Sequence, residues 1–80
     1  MELTTLAEFR TAVRSGRVIV ITDTANGVKA HRTDCPRLTE DYFIQKVVDG
    51  RRKNGSYFSE ATLGDATRAH DAVPCRACCR

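Results

Sequence analysis

Four cysteines and two histidines in 80 residues are the side chains best suited to bond-making chemistry, and the cysteines are placed unevenly. Cys35 stands alone, while Cys75, Cys78 and Cys79 crowd the C-terminal end. Cys75-Arg76-Ala77-Cys78 is a CxxC knuckle, a spacing that turns two thiolates towards one ion about 2.3 Å from each sulfur. His31-Arg32-Thr33-Asp34-Cys35 supplies a second, HxxxC pair. Together His31, Cys35, Cys75 and Cys78 offer three sulfurs and one imidazole nitrogen, a complete tetrahedral set for a structural Zn2+. Cys79 competes with Cys78 for the fourth position. The two-residue spacing favours Cys78 and leaves Cys79 as a spare thiol. His70 competes with His31, but it falls near the end of an expected helix, where a solvated or C-terminal-capping role suits it better.

Other chemistries fit these residues less well. Two disulfides would use an even cysteine count, yet nothing in the sequence signals export, and the adjacent Cys78-Cys79 pair suits a two-bridge framework poorly. A redox CxxC motif is expected between a strand and a helix rather than in a C-terminal tail. Paired carboxylates, a nucleophile–base constellation and a glycine-rich phosphate loop are all missing from the pattern. Asp34, inside the first ligand pair, suits a turn better than a general base. Four filled coordination positions leave none for a reacting water, so the chain is expected to be no enzyme.

The elements that must position these ligands are legible in part. Thr5-Leu6-Ala7-Glu8 forms a capping box, Leu6, Phe9 and Val13 follow at helical spacing, and Gly16 suits the end, which predicts a helix over 6–15. The β-branched run from Arg17 to Thr22 predicts a strand covered on both faces. Asn26-Gly27 signals a turn, after which Val28 to His31 returns as a shorter strand that delivers His31. Residues 39–49 fit a short helix with Phe43, Ile44, Val47 and Val48 on one face and Gly50 at its end, with a β-hairpin closed at Asn54-Gly55 as the alternative. Tyr57-Phe58 predicts a third strand. Thr62 and Asp65 open a helix over 63–71, with Leu63, Ala66 and Ala69 inward, and Pro74 stops it just before Cys75.

The order of these parts resembles the zinc domain of the Ada family. The shared features are a β-hairpin delivering a ligand-x-x-x-Cys pair, a strand, a short alanine-containing helix and then Pro74-Cys75-Arg76-Ala77-Cys78. The resemblance covers roughly residues 28–79, apart from a longer segment at about 41–54 that the family's zinc domain lacks. It implies zinc held by His31, Cys35, Cys75 and Cys78, and binding to DNA. In that family the first cysteine of the first pair accepts a methyl group from DNA methyl phosphotriesters. Here that position is His31, whose ligating lone pair would be committed to the metal, so the resemblance implies a scaffold without the transfer chemistry.

Composition bounds the rest. The chain predicts a single zinc-binding domain over 1–80, and one so small buries only about 60–65% of its unfolded surface, so a metal staple is in keeping with its size. No apolar run approaches the roughly 18 residues of a membrane span, and no signal peptide is visible, which points to a soluble, cytoplasmic protein with no membrane partner. Ten of the thirteen basic residues are arginine, the side chain suited to phosphate. Arg32 and Arg37 flank the first ligand pair, Arg76 and Arg80 flank the second, and Arg51-Arg52-Lys53 forms a further basic loop. This clustering points to DNA or RNA as partner, although a net charge of +3, lowered by about one on binding zinc through three thiolates, is modest. The alternative is a small regulatory or accessory module that uses the 41–54 segment against another protein. No small-molecule substrate is expected. The resulting expectation is an α+β fold of about three strands with an N-terminal helix, a C-terminal helix and a HxxxC/CxxC zinc knuckle.

Overall fold

The computed structural model describes residues 1–23, 27–36, 38–53 and 55–76. Its elements are β1 (Glu2–Leu3), α1 (Leu6–Arg14), β2 (Val18–Asp23), β3 (Gly27–His31), α2 (Glu40–Phe43), β4 (Gly55–Glu60), α3 (Leu63–His70) and β5 (Val73–Pro74). A π-helical segment, Ile44–Asp49, continues α2 without a break. The strands form one sheet in the order β1-β4-β2-β3-β5. β3 and β5 pair in parallel, and the other neighbours pair antiparallel. The α+β architecture is as the sequence leads one to expect, with two-residue strands added at both edges. Among the described residues no helix is long and apolar enough to cross a membrane.

Local chemistry accounts for the helix ends. The Thr5 hydroxyl accepts from the Glu8 amide at 3.2 Å, and Glu8 Oε1 accepts from the Thr5 amide at 3.1 Å, which completes the capping box of α1. Glu8 also takes bonds from the Thr4 amide and hydroxyl, and these donors hold its carboxyl below the usual range. Past the end of α1, Gly16 turns the chain at a φ of 72°, where a side chain would be strained. In α3 the Thr62 hydroxyl accepts from the Asp65 amide, but the Asp65 carboxylate pairs with Arg68. The helix ends at His70 on a left-handed Asp71 (φ 54°), not at Pro74, which instead pairs with Ala30 as part of β5. A proline is tolerated there because β5 lies at the sheet edge. Within α3, Ala66 is buried and Ala69 is exposed.

The sheet is covered on both faces. On one face α1, α2 and the π-helical segment close over Leu3, Ile19 and Tyr57. Phe9 stacks on Phe43 at 4.7 Å, and both rings meet Tyr57 edge-on at 5.9 and 5.0 Å. Each such pair adds about 0.5–1.5 kcal/mol beyond the area it buries. Burial pushes the Tyr57 hydroxyl up to about 12, helped by the nearby Asp23 charge. On the other face α3 packs Ala66 and Leu63 against Val18, Val20, Val28, Ala30 and Phe58. In the 39–49 segment Thr39 is the extended N-cap and 40–49 are helical; Phe43 and Val47 face the core, while Ile44 is half-buried and Val48 is exposed. The wider π turn separates Val48 from the face that 3.6-residue spacing would give it.

Candidate metal centre

β3 and β5 bring the ligands together. Their register sets Ala30 beside Pro74, and the Cys75 amide donates to the Ala30 carbonyl at 2.8 Å. Cys75 is thereby fixed next to His31, the last residue of β3. Cys35 returns to the same place through a turn in which its amide donates to the Arg32 carbonyl at 3.0 Å, and its own carbonyl accepts from the Leu38 amide at 3.0 Å. Cys35 Sγ then stands 3.5 Å from His31 Nδ1 and 4.0 Å from Cys75 Sγ. All three side chains are almost fully buried, and both cysteines are free thiols. His31, Cys35 and Cys75 form a group able to hold a metal ion, with the ligand atoms all within 4.8 Å of one another. Cys78, expected as the fourth ligand, and its competitor Cys79 lie outside the described residues.

His70 is not part of this group. Its Nε2 donates to Glu60 Oε2 at 2.9 Å, and its ring packs against Phe58 at 4.6 Å. It is therefore half-buried as a link between α3 and β4 rather than solvated or capping. That bond, aided by the nearby N-terminal amine, holds the Glu60 carboxyl below its usual range. Asp34 occupies an exposed turn, as its residue type predicts, with Arg32 Nε 4.0 Å away.

The basic residues divide between two places. Arg32 and Arg76 are exposed beside the ligands they flank, whereas Arg37 and Arg80 lie outside the described residues. Arg51, Arg52 and Lys53 are exposed in the turn before β4, with Arg51 and Arg52 both left-handed at φ 51° and 61°. Arg52 pairs with Glu2 at 3.1 Å. In the sheet register His31 lies opposite Ile19, and Gly55 lies opposite Asp23. Four residue steps along β2, roughly 13 Å, therefore separate the ligand end from the end where this turn enters the sheet.

A cleft of about 330 Å3 opens beside His31 and is missing from the sequence reading; Lys29, Lys46 and Tyr42 are among the residues that line it. The available signal was slight: Lys29 lies two residues before His31 and so shares its strand face. No protein-family model, curated protein or solved structure matches the chain, and the assignment of the site rests on its own geometry.

Proposed function

We propose that this chain is a non-enzymatic, zinc-stapled module that binds nucleic-acid phosphates at its metal end. The observation that carries the metal assignment is the spacing of the ligand atoms. In a tetrahedral zinc site the thiolate–thiolate edge is about 3.8 Å and the thiolate–imidazole edge about 3.6 Å, given the usual bond lengths. The corresponding separations here are 4.0 and 3.5 Å. Soft sulfur with one imidazole is also the donor set that suits zinc over magnesium or calcium. Cys78 supplies the fourth bond in this reading, as the CxxC spacing suggests. When bound, the ion ties the β-hairpin to the C-terminal tail, and its filled coordination leaves no position for a reacting water.

The partner reading rests on Arg32 and Arg76, both exposed and next in sequence to His31 and Cys75. The Ada-like order of ligands agrees with it, and His31 in the acceptor position argues against methyl transfer. Incubation with methyl-phosphotriester DNA is expected to add no methyl to any cysteine by mass analysis, and a stoichiometric methyl on Cys35 would restore repair as the function. Binding of the zinc-loaded protein to duplex and single-stranded DNA should weaken steeply with salt. Replacing both Arg32 and Arg76 with alanine should lower the salt slope by up to about two. Unchanged binding in that double variant would remove Arg32 and Arg76 from the site, and absence of salt-dependent binding to either DNA would leave a protein-interaction module.

A further inference from the structure

The cleft beside His31 lies on the sheet face that also carries the metal group. Ile21 and Lys29 are register partners on β2 and β3, and both line it. α2 and the π-helical segment contribute Tyr42 and Lys46, which lie four residues apart and so on neighbouring turns. Lys46 is already satisfied, since its Nζ stands 2.8 Å from Asp23 Oδ2. Lys29 is half-buried and has no ion-pair partner among the described residues. The lining thus holds two ammonium groups against one carboxylate, with an apolar wall at Ile21. Tyr42 is 55% exposed, an unusual place for an aromatic side chain in a protein whose other tyrosine is fully buried.

These features together describe a ligand with one flat ring and one negative charge. We propose that the cleft takes a single nucleotide unit, its base stacked on the Tyr42 ring and its phosphate on the Lys29 ammonium. The volume is near the lower bound of ligand pockets, about 300 Å3, which suits one such unit and not a folded partner. An exposed aromatic beside a cation is how sequence-tolerant single-strand binding is built. A base paired within a duplex cannot enter, because it must first leave the stack. With a strand as the source, the proposal rests on the nucleic-acid reading above and narrows it to single strands. With a free mononucleotide as the source, it stands without that reading.

The experiment uses the full zinc-loaded chain and three probes: a short oligothymidylate, a duplex of equal length and thymidine monophosphate. Tyr42→Ala should weaken oligothymidylate binding about tenfold and leave duplex binding unchanged, while Tyr42→Phe should retain the affinity. Lys29→Ala should lower the single-strand salt slope by about 0.7. Tyr42 is exposed, so its replacement leaves the core intact. Tyr42 ring-proton shifts on adding thymidine monophosphate, without binding of either polymer, would support the cleft as a free-nucleotide site and sink the Arg32/Arg76 reading. Loss of polymer binding in the Arg32→Ala/Arg76→Ala protein, with Tyr42→Ala and Lys29→Ala both silent, would overturn the cleft and spare that reading. Absence of any response to all three probes overturns both.

Discussion

At the scale of single residues, the ligand group was readable because metal chemistry imposes a spacing that survives in one dimension. His31 and Cys35 are four residues apart, close enough for one turn to converge them, and Cys75 begins the CxxC spacing of the sequence. The role of His70 was not readable in this way. Its partner Glu60 is ten residues away, and the pair exists only because α3 folds back over β4. The choice between Cys78 and Cys79 belongs to this scale too. A two-residue spacing lets one knuckle supply both thiolates, so Cys79→Ser is expected to retain one zinc per chain in native mass spectrometry. Cys35→Ser and Cys78→Ser should each lose it. Metal loss in Cys79→Ser with retention in Cys78→Ser would reverse the assignment of the fourth ligand.

At the scale of elements, the long and periodic segments were legible and the short ones were not. α1, β2, β3 and α3 announce themselves through caps, β-branched runs and apolar spacing. β1 and β5 have two residues each, too few for any period to show, and β5 contains a proline that reads as a stop signal. Their pairing is decided by tertiary register rather than propensity. The same register explains Gly55, which belongs to a turn only in the alternative hairpin. It faces Asp23 across the β2–β4 pair, and a Cβ there would stand 2.1 Å from the Thr22 carbonyl oxygen. That oxygen is backbone and cannot swing aside, so the strands would have to part. Gly55→Ala is therefore expected to destabilise the zinc-loaded protein by about 1–3 kcal/mol, the usual range for overpacking. Urea unfolding followed by circular dichroism would measure it, and an unchanged midpoint would show that the β2–β4 pair does not close so tightly.

At the scale of the whole molecule, the two faces of the sheet are unequally built, and this decides what a bound metal would have to do. The α1 side buries Phe9, Phe43 and Tyr57 around Leu3, Ile19 and Val47, a cluster of large side chains. The buried residues of the α3 side are Val20 and three alanines, Ala30, Ala66 and Ala72, backed by partly buried neighbours. Burial is worth about 25 cal/mol per Å2 of apolar surface, so alanines contribute little, and the second face is the weaker one. The strand that follows α3 is the two-residue β5, which leads directly to Cys75. Cys35 and Cys75 are 40 residues apart in sequence, so an ion between them would close a long loop and, through β5, tether the chain that leaves α3. Removing zinc with a chelator is thus expected to lower stability unevenly. Amides of α3 and of Ala72 and Cys75 should lose hydrogen-exchange protection first, while those of α1 and β2 persist longer, held by the aromatic cluster. A chelated protein with the zinc-loaded pattern of protection throughout would mean that the alanine face holds itself. Simultaneous loss everywhere would mean instead that the two faces form one cooperative unit, with the metal stabilising both.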